Sequence, residues 1–188
     1  KPDVLWHGNT TMCVSATVRD AYALGLGADW LSNYWGTDEN LWKLAGKAAD
    51  GVMCAGPAYF FADDRGKMKL VHDYAAKYNP GIPAKDRIKF TVTAWSNVLL
   101  LAEAMKRADK AGDLTGEGIL KKGFETMKDY ALLDGGLGTA PVNFTATDHR
   151  TTSIVPVYEL KEGKFNFVKT IDVKTRWPEK WDKEWFGW

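Results

Sequence analysis

Cysteine is scarce in this chain. Cys13 and Cys54 are its only two, far apart and outside any C-x-x-C spacing, which excludes a disulfide-dense scaffold and gives no support to a zinc ribbon or a thioredoxin-type redox motif. Two structural thiols are the simplest reading. Histidine is almost as rare: His7, His72 and His149 have no second histidine or carboxylate at metal-ligand spacing, and the neighbouring Asp148 and His149 would point apart on a strand. No metal is expected. Neither charge is in excess, with 25 basic against 24 acidic side chains and no long run of one sign, so the electrostatic footprint of a nucleic-acid binder is missing. Long apolar runs are missing too; Val98–Ala102 is the most conspicuous, and Glu103 ends it far short of a bilayer span. No elbow motif surrounds Cys13 to pair it with His7 as a nucleophile, and no base stands with an orienting group, so an enzyme is not expected.

What the chain does contain is an alternation of apolar strands with amphipathic helices. Residues 30–57 (WLSNYWGTDENLWKLAGKAADGVMCAGP) read as strand, loop, helix, strand. Thr37 stands as N-cap, Asp38 and Glu39 suit the first turn, Leu41, Trp42, Leu44 and Ala45 form an apolar face, and Val52–Ala55 is the next strand. Upstream, an apolar run ends at His7–Asn9, and a helix with Met12, Val14, Val18, Ala21 and Tyr22 follows. Gly25-Leu26-Gly27 closes that helix rather than opening one, so it is no dinucleotide fingerprint. After Pro57 the composition shifts. A helix through Met68, Val71, Tyr74, Ala75 and Tyr78 precedes a stronger one from Phe90 to Met105, whose apolar face is read as Ala94, Val98, Leu101, Ala102 and Met105. Thr115 caps another helix through Met127. From Thr139 the period falls towards two at Val142 and Phe144, and Ile154–Leu160 forms a hairpin with Phe165–Val168 about Lys161–Lys164. Trp177, Trp181, Trp185 and Trp188 have the spacing of a short helix begun by Pro178. The alternation predicts an α/β fold with a parallel sheet, and ligands of such sheets sit beyond the carboxyl ends of the strands.

Three segments, LAGKAADGV, TAWSNVLLLAEAMKRA and PVNFTATDHRTTSIVPVYELKEGKF, occur in an order that resembles the substrate-binding proteins of ABC transporters for branched-chain amino acids and related small solutes. The likeness runs from Lys1 to about Thr170. It implies a type I periplasmic binding protein fold, with two α/β lobes joined by three crossovers and the ligand caught between them. This chain resembles roughly the second half of such a protein. Residues 1–57 would then be part of the C-terminal lobe, 58–150 part of the N-terminal lobe after a crossover, and 151–188 a return to the C-terminal lobe plus a Trp-rich tail.

The implied function is non-covalent capture of a small solute, an amino acid or an apolar or aromatic carboxylate, for delivery to the membrane permease of an ABC importer. A sensory or regulatory ligand-binding domain of the same fold is the alternative. No cofactor is implied. The implied partners are the small molecule, the permease, and a missing N-terminal half or second chain; no nucleic acid is among them. The implied setting is periplasmic or extracellular, a lipid-anchored form included, where a Cys13–Cys54 disulfide would be permitted if the two Cα atoms lay close. Lys1, followed by Pro2 and Asp3, fits either a mature product whose signal peptide has been removed or a fragment.

Candidate ligand-binding residues are sought at strand ends and helix starts. His7, Asn9, Thr10 and Thr11 surround one such start, whose free backbone N–H groups suit a carboxylate or carbonyl. Tyr34 and Trp35 lie in the next loop, and Trp95 occupies a position where members of the resembled family often carry an aromatic near the hinge. The resemblance also places Tyr34 where amino-acid-binding members commonly have an acid for the ligand's ammonium. Tyr34 supplies no such charge, so an apolar or aromatic carboxylate is expected unless the missing half provides an acid; a branched-chain amino acid, with the rings packed inward, is the equal alternative. Asp148-His149-Arg150, also resembling a family motif, is read as a polar turn with Arg150 paired to a nearby acid. No catalytic residue is assigned.

Overall fold

The computed structural model describes residues 2–183. Two compact units divide the chain, one of residues 1–56 with 153–188 and one of residues 57–152.

The first unit is built on a five-stranded sheet in the order β1 (Val4–His7), β2 (Asp29–Ser32), β3 (Met53–Ala55), β4 (Ile154–Lys161) and β5 (Lys164–Asp172). β1, β2 and β3 are parallel, whereas β4 runs antiparallel to β3 and forms a hairpin with β5. Parallel neighbours need a crossover, and α1 (Thr11–Ala23) and α2 (Asn40–Ala45) supply the two that are required. Their inward residues Val14, Val18, Leu41 and Ala45 meet Ala49, Val52 and Leu160, with Trp30, Trp42 and Phe165 packed around them. Each large side chain buried there contributes about 1.5–3 kcal/mol relative to exposure. The hairpin turns at Glu162-Gly163, both at positive φ (49° and 78°), the pairing that matches strand twist. Asp50 Oδ1 accepts from the Glu162 N–H at 2.7 Å, which fastens that turn to the segment after α2.

One local expectation is corrected in this unit. Thr37 is not the N-cap of α2: it is buried, with its hydroxyl on the Asn33 carbonyl at 3.3 Å. The N-cap position falls on Glu39, which makes no side-chain cap hydrogen bond, while Asp38 Oδ1 accepts from the Asn40 N–H at 2.7 Å; the Thr37 hydroxyl is already used by the preceding turn. The cysteines are both free, since Cys13 is exposed on α1 while Cys54 is buried in β3. In the tail, Pro178 does begin a helical turn, Pro178–Trp181, but Trp185 and Trp188 lie outside the described residues.

The second unit contains no strand among its described residues, only a single bridge between Tyr130 and Val142. The expected alternation at Val142 and Phe144 is therefore not a strand; both side chains join a cluster with Ala104, Met127 and Phe124. Two helices dominate, α3 (Met68–Tyr78) and α4 (Lys89–Lys110), followed by tight helical turns over residues 116–126 that Thr115 caps through its hydroxyl, which accepts from Gly118 N–H at 3.0 Å. A core of Phe61, Met68, Val71, Ala75, Val92 and Leu137 joins the two helices. The apolar face expected on α4 is not the buried one. Val98 is 65%, Leu101 44% and Met105 42% exposed, while Val92, Ser96, Ala104 and Ala108 are buried. Small residues face inward because the neighbouring backbone comes very close: a Cβ on Gly123 would stand 2.5 Å from the Ala104 carbonyl oxygen.

Candidate functional site

The carboxyl ends of the three parallel strands are in register, His7 opposite Ser32 and Ser32 opposite Cys54. Chain leaving β1 at His7 turns through Gly8–Thr10 into α1, and chain leaving β2 at Ser32 turns through Asn33 and a short 3-10 turn, Tyr34–Gly36, towards α2. Two loops thus meet over one end of the sheet. The Ser32 hydroxyl donates to the His7 carbonyl at 3.3 Å and the Asn33 N–H to the same oxygen at 3.2 Å. Asn33 closes its own turn by accepting from Gly36 N–H at 2.7 Å.

Gly36 is required by proximity rather than by dihedral freedom. A Cβ there would fall 2.1 Å from Ser32 Oγ, 2.7 Å from Val14 Cγ2 and 2.9 Å from the Asn9 carbonyl oxygen, so the second loop is pressed directly against the start of α1. Thr11 locks the contact. Its hydroxyl lies 2.8 Å from Asp38 Oδ2 and 3.2 Å from the Trp35 carbonyl oxygen, a donor with two acceptors in reach, and both Thr11 and Asp38 are buried.

The sequence candidates fall as follows. Asn9 Oδ1 accepts from the Thr10 N–H at 2.8 Å, and Thr10, exposed, is the N-cap of α1 but makes no side-chain cap hydrogen bond. Thr11 points inward and holds the loop. Tyr34 and Trp35 meet edge to face with ring centres 5.3 Å apart, Tyr34 half-buried and Trp35 60% exposed. His7 turns towards α1, its Nε2 3.2 Å from the Thr17 hydroxyl, which itself donates to the Cys13 carbonyl. That leaves Nε2 as the donor and Nδ1, buried, with no partner. These six residues gather on one side of the first unit. Trp95 belongs to the second unit, on α4, where it is half-buried and edge-on to Tyr74 with centres 5.4 Å apart.

Asn33, Gly36 and Asp38 organise this loop and were not among the sequence candidates. The Asx-Gly content of 33–36 was the available signal; nothing local showed that Asp38 would reach across to Thr11. The Asp148–Arg150 turn is a two-pronged ion pair, with Arg150 Nε 2.9 Å and Nη2 2.8 Å from the Asp148 carboxylate. Hydrogen bonding by Arg150 holds the Asp148 carboxyl below its ordinary pKa, against a smaller upward push from burial.

Residues 1–164 match the sequence profile of the periplasmic binding protein family. The chain belongs to that family. Among curated proteins no sequence matches significantly. Solved structures match well: a branched-chain amino acid ABC transporter protein from Thermus thermophilus with bound valine superposes with a TM-score of 0.79 at 21% identity, over 95% of this chain and 48% of that one. A fatty acid ABC transporter substrate-binding protein from Thermomonospora curvata gives 0.72 at 20% identity, over 90% and 43%. An ABC transporter solute-binding protein from R. palustris in complex with benzoate gives 0.63 at 22% identity, over 89% and 42%. The architecture is that of the type I periplasmic binding protein fold. This periplasmic binding protein chain spans a little under half the length of each of those structures.

Proposed function

We propose that the chain forms part of an extracytoplasmic solute receptor that captures a small apolar or aromatic carboxylate and hands it to the permease of an ABC importer. The observation that carries this reading is the meeting of the α1 amino terminus, without a side-chain cap from Thr10, with the exposed ring of Trp35 and the edge-on ring of Tyr34. Main-chain N–H groups and the helix dipole favour an anion there, and the rings favour an apolar body beside it. Fatty acid and benzoate, named with two of the three similar structures, share that chemistry of a carboxylate on an apolar body, whereas valine, named with the third, adds an ammonium for which Tyr34 offers no charge. Binding without covalent chemistry is all that the arrangement requires.

The receptor is completed by further polypeptide, either earlier in the same chain or a second chain. β1 is an edge strand with Val4 52% and Trp6 67% exposed, and edges of this kind are normally covered. Leu70, Tyr74 and Tyr78 on α3, with Val98, Leu101 and Met105 on α4, add a broad exposed apolar surface to the second unit.

Calorimetric titration of the complete protein with leucine, phenylalanine and benzoate tests the ligand class, with Tyr34→Ala, Trp35→Ala and Trp95→Ala as variants. Benzoate binding weakened by Trp35→Ala is expected. Tight leucine binding with indifference to benzoate would sink the carboxylate reading.

A further inference from the structure

A cavity of about 690 Å³ opens in the second unit and shares no residue with the candidate site above. Its size falls within the range of small-molecule sites, roughly 300–1,000 Å³. Phe61 is its floor, one wall is the flank of α3 carrying His72 and Ala76, and the other is the segment from Pro80 to Arg87. At about 3.6 residues per turn, His72 and Ala76 lie on one side of the buried stripe of Met68, Val71 and Ala75, and Leu70, Tyr74 and Tyr78 lie on the other. The cavity is therefore on a different flank of α3 from the exposed apolar surface described above.

The walls are held in place by directional contacts. His72 Nε2 donates to the Phe61 carbonyl at 2.8 Å, and the two rings lie 4.9 Å apart. Arg87 reaches back from the far wall to the end of α3, its Nη2 donating to the Ala75 carbonyl at 3.1 Å and to the Asn79 carbonyl. Two prolines, Pro80 and Pro83, stiffen the segment between. The cavity is thus preformed rather than a gap under a loose loop.

The charges in the lining are already committed. Asp73 is paired with Lys69 at 2.6 Å, Lys85 is engaged within the protein, and Arg87 stands on the carbonyls that end α3, where its charge offsets the negative pole of the helix. A carboxylate entering here would lose water without gaining a free counter-charge, which disfavours anions. The rest of the lining is mostly apolar, and His72 supplies one polar atom to meet a ligand. Because a carbonyl oxygen makes Nε2 the donor, Nδ1 of the neutral imidazole carries the lone pair, and it is neither buried nor bonded among the described residues. We propose that this cavity binds a neutral phenol, its ring lying on Phe61 and Ile82 and its hydroxyl donating to His72 Nδ1. The site is independent of the solute site above, which is proposed for an anion.

The test is calorimetric titration of the complete protein with 4-propylphenol and with 4-propylanisole, which keeps the body but has no hydroxyl to donate. The anisole is expected to bind about tenfold more weakly, the upper end for one net hydrogen bond. His72→Phe, which keeps a ring beside Phe61 but removes the acceptor, should bring the phenol down to the level of the anisole. Ile82→Asp should abolish phenol binding; Ile82 is 44% exposed, so the change leaves the core intact. A diazirine-bearing phenol should label residues 61–87, and excess benzoate should not prevent that labelling. Equal binding of phenol and anisole, indifference to Ile82→Asp, labelling elsewhere, displacement by benzoate, or no binding at all overturns the proposal. Failure of the solute reading is distinct, being indifference of benzoate binding to Trp35→Ala.

Discussion

The two units bury their apolar surface by different means. In the first, a sheet and two crossover helices enclose Val14, Leu41, Val52 and Leu160 from both sides. In the second, α3 and α4 share a core with Phe61 and Leu137 yet leave a second apolar stripe, including Val98 and Leu101, facing outward. A helix that is apolar on two sides needs two neighbours. The difference teaches that the first unit closes most of its own core, with one bare strand edge, whereas the second leaves a broad apolar helix surface uncovered.

The most severe way to break this contrast is Val98→Asp. If, as proposed, further polypeptide covers the stripe in the complete protein, a denaturant melt there should show a loss of more than about 3 kcal/mol from burying an unpaired charge. In residues 1–188 alone the same change should be nearly neutral. Equal, small effects in both settings would mean that the stripe is a true surface.

Core truncation sharpens the contrast next. Leu160 and Met127 are both fully buried, one in each unit. Leu160→Ala should destabilise by about 2–5 kcal/mol, whether or not the rest of the receptor is present. Met127→Ala should do the same, since residues of the second unit itself enclose it, and hydrogen exchange of the two units, followed separately, should show each loss confined to its own unit.

Close approach gives a smaller, paired test. Gly36→Ala drives a Cβ into Ser32, Val14 and the Asn9 carbonyl, and Gly138→Ala places one 2.4 Å from the Tyr59 ring at a backbone φ of +74°. Each should destabilise its own unit by about 1–3 kcal/mol. Only Gly36→Ala should also weaken benzoate binding, because it shifts the loop that carries Tyr34 and Trp35.

Acid titration is the mildest comparison. The Asp172 carboxyl is held low by hydrogen bonds from Ser153 and then Thr175 in the first unit, and the Asp148 carboxyl by Arg150 in the second. A carboxylate whose folded pKa lies below its unfolded value, about 3.9, contributes its stability in full above that value and loses it as pH falls through the folded pKa. Both units should therefore weaken below about pH 4, with no effect of either group near neutrality. Asp172→Asn and Asp148→Asn should each flatten that acid limb, read as the melting midpoint between pH 5 and 2.

Much of the fold is legible in the chain itself. Val14, Val18 and Ala21 announce the buried face of α1, Met68, Val71 and Ala75 that of α3, and the Lys161–Lys164 turn with its flanking apolar alternation announces the β4–β5 hairpin. Those features depend on local period and turn chemistry, which a sequence carries directly. The candidate site is legible only in outline: Thr10, Tyr34 and Trp35 stand out as a helix start and two rings in loops, but the role of Asp38 does not. Its partner Thr11 is 27 positions away, and a hydrogen bond across that separation has no local signature.

The same limit governs α4. Its sequence determines a long helix with apolar residues on more than one side, and bulk alone favours Val98, Leu101 and Met105 as the buried side. Tertiary structure decides for Val92, Ser96, Ala104 and Ala108, because packing rewards the face that lets backbones approach, as Gly123 does against Ala104. Periodicity states that a helix has an apolar face. Which face is buried depends on what comes to lie against it.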